Sequence, residues 1–246
     1  MHTSDEATTA GLPDEFTTTR LELKRVATHV LARGRSEHGG RFGLRATATG
    51  IGTPAFGPDE TVLRLAGTIL VREHRTGDAV GSDALDLAGQ SLAEVATFAG
   101  LDLSTPFAAG GDTVLIGDAS APLALDPLSV AVVFSWYRMG AELLDTLLPA
   151  LHEPTVAQLW PEHCDLALDA ATGSGRATIG VCPGDDGVPE PYIYVGPWEP
   201  GRPGDPGFWN APYGAVLTRS TLVDAPDALI AAAMFIRTGL DLLGPA

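Results

Sequence analysis

The chain has 246 residues, two cysteines, 45% hydrophobic residues and a net charge of −16. A chain of this length buries roughly 70–75% of its unfolded surface, so its core needs no disulfide or metal. The charge is lopsided: residues 1–75 carry ten basic and nine acidic side chains, and residues 76–246 carry five and twenty-two. Such a surface repels phosphate, which weighs against nucleic acid and anionic membrane as partners.

Residues 1–18 are polar and rich in Thr and Asp, and are expected to form a disordered tail with no apolar leader of the signal-peptide kind. The first helix is expected to start at the capping box Thr19/Glu22, to bury Leu23, Val26, Ala27, Val30 and Leu31, and to stop at Gly34. Its His29 falls off that apolar stripe. Phe42–Ile51 and Thr61–Arg72 alternate apolar and polar residues, the strand period, with Pro54, Gly57 and Pro58 between them. Further strands are expected at Ala84–Leu87 and Val114–Ile116. A short helix between them starts at a second capping box, Ser91/Glu94, and ends near Gly100. The loop-rich segment Asp102–Pro122 reads as a junction between an N-terminal half, residues 19–122, and a C-terminal half, residues 123–246.

The longest helix is expected from a cap at Asp126, through Pro127 in its first turn, to about Leu148. Two apolar stripes, one through Phe134 and Tyr137 and one through Trp136 and Leu143, mark it as central to its fold. Its run from Leu128 to Ala141 already contains Arg138, so it is too short and too charged to span a bilayer. Strands follow at Cys164–Ala170, Arg176–Cys182, Tyr192–Trp198 and Ala215–Arg219, then a last helix from about Asp224 to Gly244. Helices segregated from antiparallel strands in both halves predict an α+β fold with two small sheets, and the similarity of the two halves suggests a pseudo-duplication.

Familiar chemistries are missing from the sequence. Gly50-Ile51-Gly52-Thr53-Pro54-Ala55 matches a relaxed dinucleotide fingerprint, but Pro54, Gly57 and Pro58 forbid the helix that would hold a pyrophosphate. There is no phosphate-binding loop with Lys, no zinc-binding His pair on a helix and no nucleophile elbow. No metal site is assigned and no cofactor is identified. Gly184-Asp185-Asp186-Gly187 reads as a turn.

One constellation has chemical promise. Side chains alternate across a strand, so in a hairpin built around Thr172-Gly173-Ser174-Gly175 the apolar residues Leu166 and Leu168 must share a face with Ile179 and Val181. Leu166 then opposes either Val181 or Ile179. His163, Asp165 and Cys182 converge on the other face, and Tyr192, Tyr194 and Trp198 of the next strand join them. Cys164 falls opposite to Cys182, so the two thiols are not expected to pair. The long Pro/Gly/aromatic loop 196–214, with Trp209, lies beside this face. The group could act as a thiol nucleophile with an imidazole base, as three metal ligands, or as a ligand pocket. The alternative is a satisfied core, with the loop an aromatic-anchored cover.

The segments Leu159-Trp160-Pro161-Glu162-His163-Cys164-Asp165, Pro189-Glu190-Pro191-Tyr192 and Ala225-Pro226-Asp227-Ala228-Leu229 resemble the C-terminal half of an uncharacterised bacterial family, a domain of unknown function, over roughly residues 124–243. That resemblance implies the α+β layout and carries no activity. The expected function is binding of a small molecule on the aromatic face of the C-terminal half, by Tyr192, Tyr194, Trp198 and Trp209. The alternatives are a hydrolase or transferase using Cys182, His163 and Asp165, or an assembly module. Two cysteines without an export signal point to a cytoplasmic protein with reduced thiols.

Overall fold

The computed structural model describes residues 11–246, with α-helices and two antiparallel sheets in an α+β arrangement. In chain order the helices are α1 (Phe16–Val26), α2 (Arg33–Gly39), α3 (Leu92–Phe98), α4 (Pro127–Leu147), α5 (Arg219–Leu222) and α6 (Ala228–Leu243), with a π-helical segment, Ala27–Ala32, fusing α1 to α2. The strands are β1 (Arg45–Thr47), β2 (Gly50–Gly52), β3 (Val62–Ala66), β4 (Ile69–Thr76), β5 (Ala79–Asp86), β6 (Gln158–Trp160), β7 (Asp165–Thr172), β8 (Gly175–Cys182), β9 (Tyr192–Pro197) and β10 (Ala215–Thr218). Each sheet has five strands in chain order, β1–β5 and β6–β10. No helix of the described residues is long and apolar enough to cross a membrane.

The chain divides into two compact units. The N-terminal unit comprises Leu12–Arg138 and Leu159–Cys164; the C-terminal unit comprises Met139–Gln158 and Asp165–Ala246. Segment Asp102–Pro122, expected as the junction, lies inside the first of these. The long α4 begins as expected: the Asp126 carboxylate accepts from the amide and hydroxyl of Ser129 at 2.8 and 2.7 Å, satisfying an otherwise orphaned helix-start donor.

In the N-terminal unit, α1 starts three residues earlier than expected, at Phe16, which is buried. Of the tail expected over residues 1–18, residues 1–10 lie outside the described residues. Thr19 is therefore no cap. Its hydroxyl sits inside the helix and accepts from the amide of Asp126 at 3.0 Å. Nor does Gly34 end the helix. A Cβ there would lie 3.2 Å from Leu63 and 3.4 Å from Phe56, so this glycine permits close packing; the chain turns at Gly40, whose φ of +63° suits glycine. The capping box of α3 is present, with the Ser91 hydroxyl and the Glu94 carboxylate bonded reciprocally. The expected strands 42–51 and 61–72 are each a hairpin, turning at Ala48-Thr49 and Gly67-Thr68. Leu63, Leu65 and Leu70 are fully buried. Gly50 has no room for a side chain, since a Cβ would lie 2.1 Å from the Leu65 carbonyl oxygen. Val114–Ile116, expected as a strand, is loop.

In the C-terminal unit, one sheet face is covered by helices. A Cβ on Gly140 of α4 would fall 2.3 Å from Val181, and one on Gly239 of α6 would fall 3.0 Å from Val195. Those two glycines let the helices approach Ile179, Val181, Ile193 and Val195, all fully buried. Helix α6 is capped by Asp227, whose carboxylate accepts from the amide of Ile230 at 3.0 Å, three residues beyond the expected start.

Candidate functional site

Leu166 pairs with Val181 and Leu168 with Ile179, the first of the two registers that parity allows, and the ladder's continuation sets Asp165 opposite Cys182. Cys182 pairs with Tyr192 and Gly180 with Tyr194 on β9. Asp165, Cys182, Tyr192 and Tyr194 thus share the sheet face away from the helices, and all four are buried. Tyr194 donates to the Asp165 carboxylate, and Tyr192 donates to Asp185 at 2.5 Å. The two rings meet edge to face, with centroids 6.1 Å apart, and Tyr213 packs on Tyr194 at 6.3 Å. Asp185 also accepts from the amides of Gly187 and Val188 at 2.7 Å, so the Gly184–Gly187 segment is the turn expected of it.

His163 does not join this face. Cys164 adopts a left-handed φ of +55°, which breaks the extended chain, so β7 begins at Asp165 and strand parity does not extend to His163. The His163 side chain is half exposed, in the N-terminal unit, with Glu162 at 3.8 Å and Asp112 at 4.0 Å. No disulfide joins Cys164 to Cys182. Burial pushes the Cys182 thiol up to about 12, the reverse of the lowering a cysteine nucleophile needs. Iodoacetamide near neutral pH is expected to leave both buried thiols unmodified in the native protein and to alkylate both in urea; alkylation of Cys182 without denaturant would contradict this placement.

The remaining aromatics pin the loop 198–214. Trp198 lies just past β9, 60% exposed, its indole N–H donating to Thr178 at 3.0 Å and Arg176 stacked on its ring at 5.8 Å. Trp209 is half-buried and donates to the Pro203 carbonyl at 2.8 Å, with Arg202 stacked at 5.9 Å. Phe208 packs on Phe235 of α6 at 5.2 Å. The loop has the character of an aromatic-anchored cover, with both indole donors engaged within the protein.

A second feature, in the N-terminal unit, escaped the sequence reading. Arg25, His29 and Arg33 recur every four residues along α1, the π segment and α2. Four residues overshoot an α-helical turn by about 40°; the wider π turn, where the Arg33 amide reaches back to Thr28, recovers part of that drift. These side chains grip the loop 102–118 by its carbonyl oxygens. Arg25 donates to Ile116 at 2.9 and 2.6 Å and to Asp118 at 2.9 Å. His29 Nε2 lies 2.8 Å from the Val114 oxygen. Arg33 donates to the Asp102 and Thr105 oxygens at 2.5 and 3.0 Å and to the Thr105 hydroxyl at 2.6 Å. Burial lowers the pKa of His29, the Val114 bond opposes that, and the charges of Arg25 and Arg33 reinforce it.

Between this row and the loop lies a cavity of about 500 Å³, lined by His29, Arg33 and residues of the segment 103–116. Leu103, Phe107 and Leu115 supply apolar surface, and Ser104, Thr105 and Thr113 supply hydroxyls. Among the described residues no group of three or more His, Cys, Asp or Glu side chains is arranged to hold a metal ion. No protein-family model, curated protein or solved structure matches the chain, so function is read from these sites themselves.

Proposed function

We propose that the protein binds a small organic molecule, and that it does so in the cavity of the N-terminal unit. The observation that carries this reading is the cavity: about 500 Å³ lies within the roughly 300–1,000 Å³ of small-molecule sites, and its mixture of apolar surface with a few fixed polar groups is the lining such sites have. The aromatic face supports ligand binding less well. Its two tyrosines are buried and their hydroxyls are spent on Asp165 and Asp185, so a ligand there would displace bonds already made. The experiment is to record amide NMR spectra of the full chain with a panel of neutral, cationic and anionic aromatic fragments. Shifts concentrated at His29, Arg33 and residues 103–116 are expected, and should disappear in Gly111→Trp. Gly111 lines the cavity with open space around the position of a Cβ, so a side chain can be started there without a clash, and unchanged far-ultraviolet circular dichroism of the variant is the control for its fold. Shifts confined to Tyr192, Tyr194 and Trp198 would return the site to the sheet face.

A further inference from the structure

Helix α6 is apolar on both sides. Toward its own sheet it buries Ala232, Ile236, Gly239 and Leu243. Two residues correspond to about 200° of helix rotation, so Ile230 and Met234 lie opposite Ala232, and they are 59% and 63% exposed. Single exposed apolar residues are ordinary, but the outer side of a surface helix is normally polar along its length. Here only two of sixteen residues are charged, Arg237 and Asp241, in a chain whose net charge is −16.

The outward residues also have an order. Asp227, Ile230, Met234, Arg237 and Asp241 are all exposed and follow one another at alternating spacings of three and four, the spacing of a coiled-coil seam. Ala231 and Ala233 flank it, half-buried, and their small side chains let a second helix come close. Asp227 uses Oδ1 to accept from the amide of Ile230. Among the described residues, neither its second oxygen nor the Arg237 guanidinium has a hydrogen-bond or ion-pair partner.

We infer that α6 is an interface between two copies of this chain, the two helices antiparallel about a twofold axis at the level of Ala232. In that register Ile230 meets the partner's Met234 and Arg237 meets the partner's Asp227, and the symmetry makes each contact twice. The order of charges selects this arrangement. A parallel pair would set Arg237 against its own copy and Asp227 against its own copy. A slip of one heptad would set Ile230 against Asp227 or Asp241. Only the antiparallel register centred on Ala232 puts apolar on apolar and base on acid. One helix pair of this length falls short of the roughly 1,200 Å² that stable complexes bury, so the dimer is expected to be weak, with a dissociation constant on the order of 0.1 mM.

The test is sedimentation equilibrium of the full chain from about 10 µM to about 1 mM, a span that brackets that constant. A reversible monomer–dimer equilibrium is expected. Met234→Glu buries a charge in both apolar contacts and should weaken the dimer at least about tenfold. Arg237→Glu leaves those contacts alone and turns two attractions into two repulsions. It should weaken the dimer about threefold or more at low salt, and the difference should shrink in ~1 M salt, where charges are screened within about 3 Å. Leu128→Glu, at a site on α4 that is 70% exposed, should change nothing. A monomer at every concentration overturns the proposal and returns the face to solvent or to a different partner. A dimer that Met234→Glu leaves intact overturns it as well, and so does one that is indifferent to Arg237→Glu at low salt, since such a dimer lacks this register.

Discussion

Raising the pH past about 10 is expected to unfold the C-terminal unit in a single transition, with Tyr192 and Tyr194 ionising only as structure is lost. Three buried acids share one sheet face, and all three are shifted the same way. Burial raises Tyr192 above its ordinary 10.0. Burial and the Asp165 charge raise Tyr194 well above the same value. Burial raises Cys182 from 9.0 to about 12. Above its ordinary pKa each group gives up its proton in the unfolded chain while holding it in the folded one. The unfolded state then binds fewer protons, and stability falls as pH rises. Each group contributes up to about 1.4 kcal/mol per pH unit within its own window. For Cys182 alone, between pH 9 and 12, that accumulates to the order of 4 kcal/mol, a large part of the stability of an ordinary domain. Below about pH 9 the stabilisation is fully present, so the protein should be insensitive to these groups at neutral pH.

The measurement is the ultraviolet absorbance of tyrosinate recorded together with far-ultraviolet circular dichroism along an alkaline titration. Coincident transitions are expected. Tyr194→Phe removes one of the three groups and should make the dependence of stability on pH shallower by about a third, while costing about 1.5–3 kcal/mol at neutral pH through the lost bond to Asp165. Ionisation of Tyr192 and Tyr194 with the circular dichroism intact would show that the cluster is open to solvent.

The aromatic cluster and the cavity differ in how far the sequence foreshadows them, and the reasons are local. The β7–β8 register was half legible: Leu166, Leu168, Ile179 and Val181 set its parity, and Thr172-Gly173-Ser174-Gly175 marks its turn, leaving the choice between two partners for Leu166 to the fold. His163 was misplaced because nothing in the sequence announces a left-handed Cys164. In the first sheet a two-residue turn at Gly67-Thr68 shifts the strand parity by one, so that Leu63, Leu65 and then Leu70 turn inward. Since Ile69 and Val71 are apolar too, the pattern runs through the turn and imitates one long strand. Two helix starts were legible, because the Ser91/Glu94 box and the Asp126 cap state their own chemistry; the Thr19/Glu22 pair shows the same pattern inside a helix that already begins at Phe16. The Arg25/His29/Arg33 row escaped notice, because its partners are carbonyl oxygens of a loop without periodicity, and no side-chain code specifies a backbone acceptor.

That row makes Arg33 a consequential side chain of the N-terminal unit. Arg33→Ala deletes three bonds to loop groups and the pair with Glu37. The pair itself contributes little, since Glu37 is 41% exposed and partly exposed ion pairs are worth under about 1 kcal/mol. The bonds to Asp102 and Thr105 are another matter, made by a charged donor that is itself almost wholly buried; their loss is expected to cost about 3–5 kcal/mol, read as a lower urea midpoint. The same substitution should speed amide hydrogen exchange across residues 102–118, because Arg25 and His29 are left to hold the loop only at its distal end, by Val114, Ile116 and Asp118. Arg33→Lys is the sharper test. Lysine keeps the charge, yet its single ammonium centre cannot reproduce the planar fork that reaches Asp102 and Thr105 together, so it should recover less than half of the lost stability and leave exchange at residues 102–106 fast. If Arg33→Lys restores both, a positive charge alone holds the loop; if neither variant changes exchange there, the loop is held by something other than this row, and the cavity behind it owes nothing to Arg33.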